Sequence, residues 1–181
     1  PASALRPASD ADSRRLDLLL ALLVLLAAAA VVAPALPGEF YWDEANVFAN
    51  GGVARLGTGL WAHLVEPRFG LERYRPLYTW SLALNHAAGG MEPYGYHLVN
   101  SLLHALTALL FFPVAARLLG SRPAGFLAAL LFAVHAVHVE AVAYVAQRSG
   151  PLAGPCVLAA FWLWLRNSRP AYVGALAAYE V

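Results

Sequence analysis

Hydrophobic residues in this chain come in long blocks separated by short polar clusters. The first block covers about 16–34 and stops at Pro34, Pro37 and Gly38. A mixed stretch follows over about 35–93. Apolar blocks return at about 94–119, 124–146 and 151–165, and a fifth begins near Ala171 and is still apolar at Val181. A helix needs about 20 such residues to cross a ~30 Å hydrocarbon core. The pattern therefore predicts an all-α integral membrane protein of four to five transmembrane helices, with a long outer first loop over 35–93. The dozen residues of the fifth block rise only ~18 Å as helix. The expectation is either a piece of a longer protein or a shortened chain whose last helix is covered by other membrane subunits.

Residues 1–15 are polar and rich in proline and serine, and they read as a disordered cytoplasmic tail. Arg14-Arg15 before an apolar run is a signal-like arrangement. The run is longer than a signal core and the Pro34–Pro37 region is a poor cleavage site, so the reading is a retained signal anchor. Residues 16–181 then form the membrane module.

Composition agrees with the pattern. The 181 residues are 60% hydrophobic and 13% charged, with mean hydropathy +0.58; soluble domains carry about 25% charge. A net charge of +1 offers no basic excess to neutralise phosphates, which excludes a nucleic-acid partner. The single Cys156 rules out an intrachain disulfide. All 12 basic residues are arginine, and with the Ala/Leu richness this points to a bacterial inner membrane. Arg14, Arg15, Arg117, Arg122, Arg166 and Arg169 all fall on one side of the predicted spans, which puts the N-terminus in the cytoplasm and the first loop outside.

That loop has structure of its own. Asp43 suits the N-cap of a helix over 44–56, stopped by Gly57, and Pro76 suits the start of a second helix reaching about 88, stopped by Gly89-Gly90. Trp42, Trp61, Tyr74, Tyr78 and Trp80 fit helices lying along the membrane interface.

Four constellations carry candidate chemistry. Tyr41-Trp42-Asp43-Glu44 places two carboxylates at a helix start, as a general base or as an ordinary cap. His97, Asn100, Ser101, His104 and Thr107 share one face of the second span by their three- and four-residue spacing. Such a stripe faces a cavity or bonds to neighbouring helices. His135 and His138 lie three apart, with Glu140 turned away by about half a turn. Titratable groups at membrane depth make these three and His104 a possible intramembrane polar site, although the spacing is a weak metal signature and leaves a divalent metal open. Arg68, Arg73 and Arg75 offer forks suited to a phosphate, or to Glu66 and Glu72.

The order of Trp42-Asp43-Glu44, Tyr74-Arg75-Pro76-Leu77, Gly95-Tyr96-His97-Leu98-Val99-Asn100 with Leu103-His104-Ala105-Leu106, and His135-Ala136-Val137-His138-Val139-Glu140 resembles one group. These are bacterial relatives of the transmembrane-and-tetratricopeptide-repeat O-mannosyltransferases, within the GT-C superfamily of polyprenyl-phosphate-sugar-dependent glycosyltransferases. The resemblance covers about residues 16–166. It implies a lipid-linked sugar as donor substrate, Asp43 as the base on an acceptor hydroxyl, Glu44 as its neighbour orienting acceptor or loop, and Arg75 with His97 facing the donor phosphate. The family has His-Pro where this chain has His135-Ala136, so the resemblance does not carry the family's local helix break over to this chain. The family also has more spans and a C-terminal repeat domain. A glycosyltransferase module is thus the leading expectation. A non-catalytic descendant serving as accessory or scaffold subunit of a larger membrane complex, such as a bioenergetic or photosynthetic assembly, is the alternative. A transporter using the histidines as a proton relay lacks the inverted repeat that would support it.

Overall fold

The computed structural model describes residues 10–41, 44 and 76–166, and every regular element among them is helical. The chain opens with α1 (Asp10–Val32), an uninterrupted Leu/Ala helix that Pro34 converts into a 3-10 turn over Ala33–Ala35. After the loop come α2 (Pro76–Gly89) and α3 (Pro93–Leu118), each opened by a proline whose missing N–H is not needed at a helix start. Ser121 caps α4 (Arg122–Val134), its hydroxyl accepting from Ala124 N at 3.4 Å. Next are the short α5 (Val137–Ala143), a 3-10 turn at Val145–Gln147 and α6 (Ser149–Leu165).

Among the described residues two helices, α1 and α3, are long and apolar enough to cross a membrane, and a third span is counted if α4 and α5 are taken as one. The sequence reading of four to five spans is therefore supported only in part. The fourth block is a helix of 17 residues, and the fifth lies outside the described residues, as does the helix expected over 44–56. The third block differs in kind. Instead of one helix over 124–146, α4 and α5 are bent by 54° at a break. His135 is extended there, with φ −68° and ψ 126°, and its Nδ1 accepts from Val137 N at 3.2 Å. A side-chain ring thus takes over the job of restarting the helix that a proline would do elsewhere.

The bundle is held by close approach of small residues. Val24 and Ala28 of α1 meet Ala105, Ala108 and Phe112 of α3 and Ala129 and Ala133 of α4 in one buried cluster. A Cβ on Gly125 would lie 2.4 Å from the Ala116 backbone, so α3 and α4 touch main chain to main chain at that point. One on Gly154 would lie 2.9 Å from Thr107 Oγ1, so the main chain of α6 rests on the Thr107 side chain of α3. Such small-residue contacts suit helices that gain nothing from hydrophobic burial in lipid. The leucines of α1 point outward: Leu18 is 72% exposed, and Leu19, Leu22, Leu23 and Leu26 are exposed too. An apolar face of this kind fits a lipid environment.

An ion pair between Asp17 and Arg122, at 2.9 Å, puts the start of α1 beside the start of α4. That end is the tail end of the bundle. At the other end lie the turn after α1, α2, the start of α3, α5 and the start of α6. A second buried cluster sits there, made of Tyr78, Leu82, Tyr96 and Val145 with Phe40 and Leu152 against it. Tyr78, expected at the membrane interface, is instead part of this core and is buried.

Candidate functional site

The far end of the bundle is where polar side chains go inside. Glu44, His97, Asn100 and Arg148 are all essentially without solvent exposure. Buried polar groups at this density need partners, and three of the four have them.

Arg148 stands at the N-terminus of α6, between the 3-10 turn and the helix. Its guanidinium makes four hydrogen bonds. Nε donates to Asn100 Oδ1 at 2.7 Å. Nη1 donates to Asn85 Oδ1 at 2.6 Å and to Ser81 O at 3.2 Å. Nη2 donates to Tyr96 O at 2.9 Å, and the cation lies 5.5 Å from the centre of the Tyr96 ring. The fork thus joins α2, α3 and the start of α6, and every one of these acceptors is neutral. Burial pulls its pKa down to about 10, against the attraction of the Tyr78 and Tyr96 rings, so it stays a cation at any physiological pH. Asn100 is used on both sides, because its Nδ2 donates to Val142 O at 3.1 Å.

Glu44 joins the first loop to the same place. One carboxylate oxygen accepts from the Val145 amide and the other from the Tyr41 amide. Its own N donates to Tyr41 O at 2.9 Å. The carboxylate is therefore occupied by main chain, which suits a residue that fixes the loop. Asp43, the residue before it in the chain, and Arg75 lie outside the described residues.

His97 is the exception. It is buried on α3, and neither ring nitrogen has a hydrogen-bond partner among the described residues. Gly38, in the turn after α1, faces it: a Cβ there would sit 3.5 Å from Nε2. A buried imidazole without a partner costs about 1–3 kcal/mol relative to a paired one, and no described residue supplies that partner for His97.

The rest of the predicted stripe faces inward as its spacing implied. Ser101 donates to His97 O and Thr107 to Leu103 O, both at 2.8 Å. His104 Nε2 lies 3.0 Å from Ala133 O, serving the last turn of α4 just before the break. His138 joins it there, 5.2 Å ring to ring, with Phe132 4.2 Å from His138 and His135 6.1 Å away. The histidines do gather, yet among the described residues no group of three His, Cys, Asp or Glu is arranged to hold a metal. Glu140 is exposed on the far side of α5 and takes no part. Sequence reasoning singled out Asn100 but missed Arg148 and Asn85. Their partners are 48 and 63 residues apart in the chain, and no local spacing signals that.

Among curated proteins, the chain is 39% identical over 137 residues to the protein O-mannosyl-transferase Tmtc1 of Drosophila melanogaster, covering 72% of this chain and 16% of that protein. It is 46% identical over 89 residues to the protein O-mannosyl-transferase TMTC2 of Mus musculus, covering 49% of this chain and 11% of that protein. A second fly protein, the protein O-mannosyl-transferase Tmtc2, is 43% identical over 140 residues, 73% of this chain and 15% of its own length. The chain thus spans less than a fifth of the length of each of these homologues, which support an O-mannosyltransferase-like family. No family model matches the chain, and no solved structure matches it significantly.

Proposed function

We propose that this chain is a membrane segment of a protein O-mannosyltransferase-like enzyme of the GT-C type, which takes its sugar from a polyprenyl-phosphate donor at the outer membrane face. The observation that carries the reading is the 39% identity over 137 residues to a protein of that name. The arrangement of the far end supports it. A sugar on a lipid phosphate calls for a base for the acceptor and for donors that meet the phosphate charge.

In this reading Asp43 takes the proton of an acceptor hydroxyl as the oxygen attacks the anomeric carbon. The bond from that carbon to the lipid phosphate breaks, and the phosphate leaves with the electron pair. Arg75 and His97 hold the phosphate as its charge grows; His97 suits this because neither of its nitrogens has a partner among the described residues. Glu44, the residue after Asp43 in the chain, is held against Val145. The proposed orientation, with the loop outside, rests on Arg14, Arg15, Arg117 and Arg122 on the tail side. The relatives named above are animal proteins, so a bacterial inner membrane rests on composition alone.

The test is sugar transfer from a polyprenyl-phosphate mannose donor by the native protein in membranes. Asp43→Asn is expected to lower the rate by about 10²–10⁴-fold, the usual worth of a general base. Undiminished transfer by that variant removes Asp43 as the base, and no transfer by the unaltered protein removes the reading as a whole.

A further inference from the structure

The Arg148 network has no place in the chemistry just described, and its cost demands one. Taking an arginine out of water costs several kcal/mol, and the usual remedy is a carboxylate beside it. Here the Asp17–Arg122 ion pair is at the opposite end of the bundle, and none of the hydrogen bonds of Arg148 among the described residues goes to a carboxylate. Arg148 is instead surrounded by two asparagine oxygens, two main-chain carbonyls and the face of Tyr96. Neutral acceptors satisfy the cation only while all of them stay in place, which makes the arrangement rigid and selective for the guanidinium fork.

What the network holds is the short stretch from Val142 to Arg148. One end is fixed by Asn100 through Val142 O and the other by Arg148 itself. In between, the Val145 amide is the point at which Glu44 docks the first loop. The position of that amide relative to α3 is thus set by Arg148 and Asn100, and the position of Glu44 is set by the amide.

We infer that Arg148 is a positioning residue: its four-bond fork fixes the Val142–Arg148 stretch on α2 and α3, and through the Val145–Glu44 contact it places Glu44, the residue that follows Asp43 in the chain. This rests on the proposed function for its catalytic consequence, though not for the docking itself.

Two measurements on the native protein in lipid nanodiscs separate the docking from that reading. Amide hydrogen exchange at Val145 reports the docking directly. Arg148→Lys keeps the charge but cannot span four acceptors, and it is expected to speed exchange at Val145 and Tyr41 by about tenfold or more, the loss of one to two good hydrogen bonds. Exchange at Ala124, at the tail end, is expected to stay as it was. The milder Asn85→Ala, which leaves three of the four bonds, gives a smaller acceleration and serves if the lysine variant does not fold. Wild-type exchange at Val145 in both variants overturns the inference, and so does equal acceleration at both ends of the bundle.

The second measurement is mannose transfer, normalised to the number of donor-binding sites so that misfolded protein does not count. Arg148→Lys is expected to lower turnover per site by about 10–100-fold, as misplacement of a catalytic group by about 1 Å does, with the donor KM within about twofold. A raised KM with unchanged turnover means that Arg148 meets the donor itself, and the positioning role is wrong. If the unaltered protein transfers nothing, the functional reading fails while the exchange data still decide the docking.

Discussion

The two ends of this bundle are built on opposite principles. At the tail end, α3 and α4 meet closely through Gly125 and Ala116, with the buried packing a matter of shape and the Asp17–Arg122 pair half-exposed beside it. At the far end an apolar cluster is crossed by a buried cation, asparagines and a carboxylate joined by hydrogen bonds with named partners. Shape tolerates small repacking at a modest cost. A buried hydrogen-bond network does not, because each lost partner strands another group. The end that demands specific partners is also the end with the open imidazole of His97, and function is expected where stability alone would not have asked for polar groups.

Breaking the far end should have the larger effect. Arg148→Met removes four hydrogen bonds, two to asparagine oxygens and two to helical carbonyls, and we expect a stability loss of about 4 kcal/mol at ~1 kcal/mol for each, read by denaturation in mild detergent. A loss below ~1 kcal/mol would show that the acceptors re-pair and that the network does not hold this end. Gly125→Ala tests the tail end, where the added Cβ meets main chain at 2.4 Å. Parting α3 and α4 should cost about 2–3 kcal/mol, within the range for overpacking, while mannose transfer per folded molecule stays as before. A selective loss of transfer would mean that the two ends are coupled. The smallest effect is expected from Asp17→Asn. Its pair with Arg122 is 45% and 40% exposed on the two side chains, so the change should be under about 0.5 kcal/mol and vanish in high salt.

The contrast between the ends also explains what could be read from the chain. Helical spacing predicted that His97, Asn100, Ser101, His104 and Thr107 share a face, and all five are buried. Prolines and glycines marked the start of α2 and its end within a residue or two. These are local signals. The break at His135 escaped, because an alanine follows it and the restart depends on an imidazole accepting the Val137 amide. Arg148 escaped for a different reason. In sequence it is one arginine in a turn, and its meaning comes from Asn85 and Asn100, which only the folded chain brings to it. The readings of Asp43 as a base and of Arg75 as a phosphate fork fall outside the described residues.

The interrupted third block sets a depth. The 13 residues of α4 rise about 20 Å, against a hydrocarbon layer of ~30 Å. With Arg122 at the near boundary, His135 falls about 10 Å short of the far one, and the polar stripe of α3 runs down to meet it at His104. The helix break therefore lies inside the apolar block rather than at its edge, and His104, His135 and His138 gather at that depth.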